Sequence, residues 1–189
     1  MFLSGIKWIQ VGKSGEHACL SNLQRRVSND VTRHDSVEST IVFSHRMFIG
    51  EYSHSIDDKG RMAIPVKFRH DLKNGAVVTR GLDNCLFIYT KSEWAKVAEK
   101  YANLPIAQAN SRAFSRLMLA GAMDVELDKQ GRIILPEYLR EFASVKKNVV
   151  IAGLYSRLEI WDEEVWDKYK GQTEAESGAI AEKMSELGV

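Results

Sequence analysis

Asp57-Asp58-Lys59-Gly60-Arg61-Met62-Ala63-Ile64-Pro65 returns as Asp128-Lys129-Gln130-Gly131-Arg132-Ile133-Ile134-Leu135-Pro136. Both stretches read Asp-x-x-Gly-Arg-x-x-aliphatic-Pro, shifted by 71 positions (128 minus 57). The correspondence runs outward from the motif. Gly50 maps onto Gly121 and Arg69 onto Arg140 at the same shift. After a one-residue insertion, Gly81-Leu82 maps onto Gly153-Leu154, Tyr89 onto Trp161 and Trp94 onto Trp166. Two copies in matching surroundings mean that one small unit was duplicated, so a site on one copy has a counterpart on the other.

Each unit has roughly 50 residues, a size at which a core is marginal alone and gains by pairing. The 44% hydrophobic and 27% charged content is ordinary for a globular protein. Net charge is +1, so any nucleic-acid partner must be held by locally clustered Arg and Lys. Residues 1–46 carry six Lys/Arg against four Asp/Glu, which leaves 20 against 21 in the remainder. Cys19 and Cys85 form no C-x-x-C pair and fall outside equivalent repeat positions. A reducing cytosolic setting is expected, with Cys85 as a small buried strand residue. No run approaches the ~18–20 apolar residues of a membrane span, and residues 1–46 lack the apolar core of a signal peptide.

Residues 1–46 read poorly as structure. They are expected to be either leader translated from a start placed upstream of Met47 or a weakly basic, disordered arm. In residues 51–56, Tyr52, His54 and Ile56 alternate with small polar residues, which predicts a half-buried strand. Residues 57–60 supply turn chemistry, and 61–64 a second strand. Pro65 opens a short helix over 66–72. Strands follow at 76–79 and 85–89, and Thr90 with Glu93 predicts a capped helix from 91 to about 102. The second unit repeats the order: strands at 125–127 and 132–135, a helix at 136–142, strands at 149–151 and 158–161, and a helix capped by Asp162. Pro105 breaks the chain between the units, and residues 108–119 have helical character. The tail from Gly171 is polar and Glu-rich, to be read as a short exposed helix or as disorder. The pattern is an α+β fold of tandem duplicated β-rich units with short helices. Its segments are 1–46 (extension), 47–97 (first repeat), 98–122 (linker with helix), 123–168 (second repeat) and 169–189 (tail).

Arg61 and Arg132 each lie just past a glycine turn at the start of a strand. Such an Arg can contact phosphate or guanine as a planar fork. It can equally pair with its own motif Asp, Asp57 or Asp128, and clasp the turn with Gly60 or Gly131. Both roles are compatible. Lys59, Lys67, Arg69, Lys129 and Arg140 lie close by in sequence. They form a basic patch if they share a surface, and are ordinary solvated charges if they do not. Arg112 and Arg116 could serve either DNA or the contact between units. Tyr89, Trp94, Trp161, Trp166, Phe87 and Phe68 could stack on bases, but their repeat-matched positions fit core packing better. Asp57, Asp58 and Asp128 sit beside Arg, which would keep them ionised and unsuited to acid–base work. No nucleophile triad repeats, no phosphate-loop glycine pattern appears, and the histidines show no metal-ligand spacing. No catalytic residue, metal or cofactor is expected.

From Met47 to about Trp166 the chain resembles the MraZ family of bacterial transcriptional regulators. The residues that carry the resemblance are Met47-Phe48-x-Gly50, the doubled Asp-x-x-Gly-Arg, Ala120-Gly121-Ala122, and Gly131-Arg132-Ile133-x-Leu135-Pro136. The resemblance implies two SpoVT-AbrB-like swapped-hairpin units arranged as a pseudo-dimer in one chain. It implies ring-shaped homo-oligomers on direct repeats of double-stranded promoter DNA, repressing their own division and cell-wall operon. A cytoplasmic, nucleoid-associated place follows, with no membrane partner. Matched residue by residue, Asp57 and Arg61 fill the first family motif, and Asp128 and Arg132 the second. Arg61 and Arg132 would then be the DNA-contacting arginines. The other reading is an assembly protein whose Asp-x-x-Gly-Arg turns join subunits.

Overall fold

The computed structural model describes residues 47–188; the expectations for residues 1–46 lie outside them. The first half runs β1 (Phe48–Ser55), β2 (Arg61–Ala63), α1 (Val66–Arg69), β3 (Ala76–Arg80), β4 (Leu86–Thr90), α2 (Lys91–Ala102) and α3 (Ala109–Leu119). The second runs β5 (Met123–Val125), β6 (Arg132–Ile134), α4 (Glu137–Phe142), β7 (Asn148–Tyr155), β8 (Arg157–Asp162), α5 (Glu163–Ala175) and α6 (Ser177–Glu186). Two tandem β-rich units with short helices make an α+β fold.

The halves are interleaved. A six-stranded antiparallel sheet has the order β1-β7-β8-β4-β3-β5, and β2 pairs with β6 in a separate ribbon. Strand β1 therefore leaves its own half to edge the hairpin of the other, and β5 does the same in return. At the seam, β4 pairs with β8 through Leu86↔Ile160, Phe87↔Glu159 and Ile88↔Leu158. Phe87 and Glu159 are equivalent at a shift of 72 (159 minus 87). The ribbon pairs Met62 with Ile133, equivalent at 71 (133 minus 62). A pseudo-two-fold axis thus passes through both pairs.

Period-two alternation assigns the faces. Leu86, Ile88, Leu158 and Ile160 point into one core with Met62, Ile133, Phe68 and Leu139, beneath the ribbon, α1 and α4. Phe87, Tyr89 and Trp161 point the other way, into a cluster with α2, α3 and α5. Burial on both faces is why these strands read as continuous apolar runs. Phe68, 1% exposed, meets Phe48 and Tyr52 edge-on at 5.2 and 5.4 Å, contacts worth about 0.5–1.5 kcal/mol each.

The halves also lock through their turns. Ile64 N–H donates to Gly131 O at 2.9 Å, and Leu135 N–H donates to Gly60 O at 2.8 Å. Gly60 and Gly131 have φ of 74° and 75°, where a side chain is strained. Arg69 donates Nε to Ile64 O at 2.8 Å, and Arg140 donates Nε to Leu135 O at 3.2 Å. Each then lies across the opposite half's glycine. A Cβ on Gly131 would meet Arg69 Cζ at 2.6 Å, while one on Gly60 would meet Arg140 Nε at 3.3 Å.

Several boundaries differ from the sequence reading. Pairing with all of β7 draws β1 back to Phe48. The second unit's first strand lies at Met123–Val125 rather than 125–127, because its partner β3 begins at Ala76, opposite Val125. The helix expected over 66–72 is regular only over Val66–Arg69 and continues as turns. The expected caps are present: Thr90 Oγ1 accepts from Glu93 N–H, and Asp162 Oδ1 accepts from Glu164 N–H. The tail is helical, with α5 running through Gly171 before α6 begins.

Gly131→Ala should destabilise the protein by at least about 1–2 kcal/mol from backbone strain alone, and by more than Gly60→Ala. Urea unfolding measures both, and adding Arg69→Ala to Gly131→Ala should restore the steric part. A second expectation concerns His54 on β1. Burial, then the Arg69 charge, holds its imidazole below the ordinary value of 6.5. The unfolded chain takes up that proton first, so stability is full above about pH 6.5 and is lost as pH falls through the lower folded value. Unfolding midpoints between pH 7 and 5 should fall less steeply in His54→Gln than in the parent chain.

Candidate nucleic-acid interface

The two motif turns are near copies in atomic detail. Asp57 Oδ1 accepts the N–H groups of Lys59 and Arg61, both at 3.0 Å, and Oδ2 accepts Arg61 Nε at 2.7 Å. Asp128 Oδ1 accepts from Gln130 and Arg132 N–H at 2.8 and 2.9 Å, and Oδ2 accepts Arg132 Nε at 2.8 Å. Glycine closes each turn, Gly60 N–H donating to Asp57 O and Gly131 N–H to Asp128 O. Asp is required because one carboxylate must serve two backbone donors and a guanidinium at once. The Arg61 N–H, followed by its side chain, lowers the Asp57 carboxyl. The Arg132 N–H and side chain do the same for Asp128. Both carboxylates are therefore charged at neutral pH, and the clasp predicted from sequence is present in both halves.

Strand parity then places the arginines. Met62 and Ile133 point inward and are at most 1% exposed, so their neighbours on the ribbon point outward. Arg61 stands opposite Ile134, and Arg132 opposite Ala63. The two arginines are thus diagonal neighbours on one face, roughly 7–8 Å apart. Their side chains stay 32% and 28% exposed despite the clasps. Lys59 and Lys129 are exposed on the turns that lead into β2 and β6, at opposite ends of the antiparallel ribbon.

The remaining basic candidates are placed differently. Lys67 is exposed at the start of α1, with Nζ donating to Ile49 O at 3.2 Å. Arg69 and Arg140 are half-buried and buttress the turns as described. Arg112 donates to Ile106 O and Ala107 O in the connection before its own helix, while Arg116 is exposed. One residue of the ribbon face escaped the sequence reading. Ile134 is 61% exposed between the arginines, and its outward parity with Arg132 was the available signal.

The aromatics are structural. Tyr89 and Trp161 are buried, and they pair with Trp94 and Trp166 at centroid distances of 5.8 and 5.5 Å. Cys85 is buried, donates Sγ–H to Leu82 O, and its thiol is pushed up by burial. Among the described residues, no cluster of His, Cys, Asp or Glu could hold a metal ion, and no helix is long and apolar enough to cross a membrane.

Comparison with known proteins gives this geometry a family. The sequence model described as "MraZ protein, putative antitoxin-like" matches residues 47–117 and again 118–187. The chain is 48% identical over 141 residues to transcriptional regulator MraZ of Desulforamulus reducens, covering 75% of this chain and 99% of that protein. It is 49% identical over 143 residues to transcriptional regulator MraZ of Natranaerobius thermophilus, covering 76% of this chain and all of that protein. The protein of the same name from Acetivibrio thermocellus is 48% identical over 143 residues, again 76% of this chain and all of the relative. With both halves matched and the doubled Asp-x-x-Gly-Arg turns in place, the chain belongs to the MraZ family.

Proposed function

We propose that this protein is a sequence-specific, double-stranded-DNA-binding transcriptional regulator whose reading element is the β2–β6 ribbon. The observation that carries the reading is the placement of Arg61 and Arg132 on one outward face, each preorganised by a buttressed Asp. A two-stranded ribbon fits the ~12 Å major groove, where a fixed guanidinium can pair with the two acceptors of guanine. Ile134 offers an apolar contact for a thymine methyl between them. Lys59 and Lys129 at the ribbon ends would meet phosphates, with Lys67 in support. Arg69 and Arg140 would act through the turns they hold.

One protomer makes few phosphate contacts, and the near-zero net charge adds no general attraction. Binding by one copy would therefore be weak. A ring of copies on closely spaced direct repeats would raise effective concentration at each further site. Occupancy of the promoter upstream of its own gene would repress its own operon, and relatives named transcriptional regulators support the regulatory part of this reading.

A second reading has one observation in its favour: both arginines are already paired with Asp, so the turns could serve assembly alone. A gel-shift titration separates the two, using DNA from upstream of the gene and a shuffled control at two salt concentrations. Arg61→Ala and Arg132→Ala should each weaken specific binding by about 1–3 kcal/mol while oligomer size is unchanged. Affinity should fall by about 0.9 log unit per log unit of salt for each phosphate neutralised. Variants that bind as the parent does, or that dissociate, would instead support the assembly reading. Asp57→Asn with Asp128→Asn should narrow the gap between specific and shuffled DNA, because two negative charges are lost and the arginines are freed.

A further inference from the structure

The two halves end differently, and the difference exposes a matched pair of surfaces. In the first half, α2 is followed by a six-residue connection, 103–108, containing Pro105, and α3 packs back against α2 and β3. Phe114 meets Tyr101 edge-on at 5.3 Å. Ser115 Oγ donates to Tyr101 O at 2.8 Å, and Thr79 Oγ1 donates to Met118 O at 2.6 Å. Met118 is fully buried. In the second half only Glu176 separates α5 from α6. That is shorter than the 2–5-residue loops that let helices double back. None of the α6 residues is buried. Its Ile180 and Met184, one turn apart, and Leu187 just past its end are 38%, 40% and 72% exposed. A ten-residue helix with no partner for its apolar face is marginal in water.

The seat that α3 fills in the first half is open in the second. A groove of about 480 Å³ has Leu154, Trp161, Trp166 and Tyr169 on its second-half side, while Arg157, Glu159 and first-half residues that include Glu51 and Leu82 complete its wall. At the shift of 72, Trp161, Trp166 and Tyr169 correspond to Tyr89, Trp94 and Val97. In the first half Tyr89, Trp94 and Val97 pack in one cluster with Phe114 and Met118 of α3. The molecule itself therefore shows what this seat accepts: an amphipathic helix with large apolar residues four apart. Helix α6 presents Ile180 and Met184 at that spacing, yet its connection holds it away from its own groove.

We propose that α6 of one copy occupies the α5–β7–β8 groove of a second copy, in the manner of α3 in the first half. Donor and acceptor are different surfaces of the same chain, so the contact, passed head to tail from copy to copy, is the kind that builds a ring. It rests on the ring reading above and supplies that ring's seam.

The test uses the full chain without DNA, with mass read by native mass spectrometry and sedimentation. Ile180→Asp with Met184→Asp disables the donor, and Leu154→Asp with Tyr169→Asp disables the acceptor. Each variant alone should be monomeric. An equimolar mixture should form dimers and nothing larger, because one sound helix meets one sound groove and both remaining surfaces are blocked. A chain ending at Ala175 should replace the donor variant in this mixture, which covers any folding defect of the Asp pair, and circular dichroism checks the acceptor variant. Unchanged masses in the variants, a monomeric parent chain, or a mixture that stays monomeric would overturn the proposal. The Arg61→Ala, Arg132→Ala chain should assemble as the parent does. Loss of DNA binding there with assembly intact bears on the ribbon alone, so failure of the seam and failure of the DNA reading are told apart.

Discussion

Neither half of this chain can finish its own sheet. The first strand of each is the edge strand of the other's hairpin, and the two half-cores merge into one beneath the ribbon. The ribbon and the face it presents follow from that exchange. The axis it creates brings β2 and β6 together, and their pairing sets two arginines from distant parts of the chain on one face. The site is thus a product of the interlock rather than of either repeat. This also explains why the backbone exchange between Gly60, Gly131, Ile64 and Leu135 is reciprocal: each turn is completed by the strand that follows the other turn.

The Asp-x-x-Gly-Arg turn does two jobs with few atoms. Its Asp uses one oxygen to close the backbone and the other to orient the Arg. Its Gly takes a conformation costly for other residues and leaves room for an arginine from the other half. The motif arginine gives up part of its hydrogen-bonding capacity and, in return, keeps its head in a defined place. A side chain ordered before it meets a partner loses less entropy on binding, which suits a site built from so few contacts.

Much of this was legible in residues because the geometry permits few alternatives. Glycine at φ near 75° and an Asp four residues before an Arg leave their mark twice, so the duplication, turns, flanking strands and caps could be read directly. Partner choice could not. Period-two alternation tells which face a residue occupies, not which strand lies beside it. Family resemblance implied swapped-hairpin units paired as a pseudo-dimer, but neither it nor spacing named β1 and β5 as the strands exchanged. The same limit hid the work of Arg69 and Arg140, which look like surface charges until the opposite turn is placed against them. It hid Ile134 too, an aliphatic residue in a strand that reads as core. Gly171 is the reverse case: a residue that usually ends helices sits inside α5 on an exposed stretch, where its cost is small enough to be carried by its neighbours.

The exchange of edge strands has a temporal side. Phe48 lies opposite Tyr155, 107 positions later (155 minus 48). At ~5–20 residues per second of synthesis, β1 must wait on the order of 5–20 seconds for its partner to be made. Through that interval the first hairpin also lacks the β8 strand that will flank it. A nascent chain in this condition exposes unpaired edges, and its most available complement is an identical half on a neighbouring ribosome. Joining two halves in one polypeptide ties the correct complement to the chain and makes it arrive at high local concentration, so fusion guards against mispairing during synthesis.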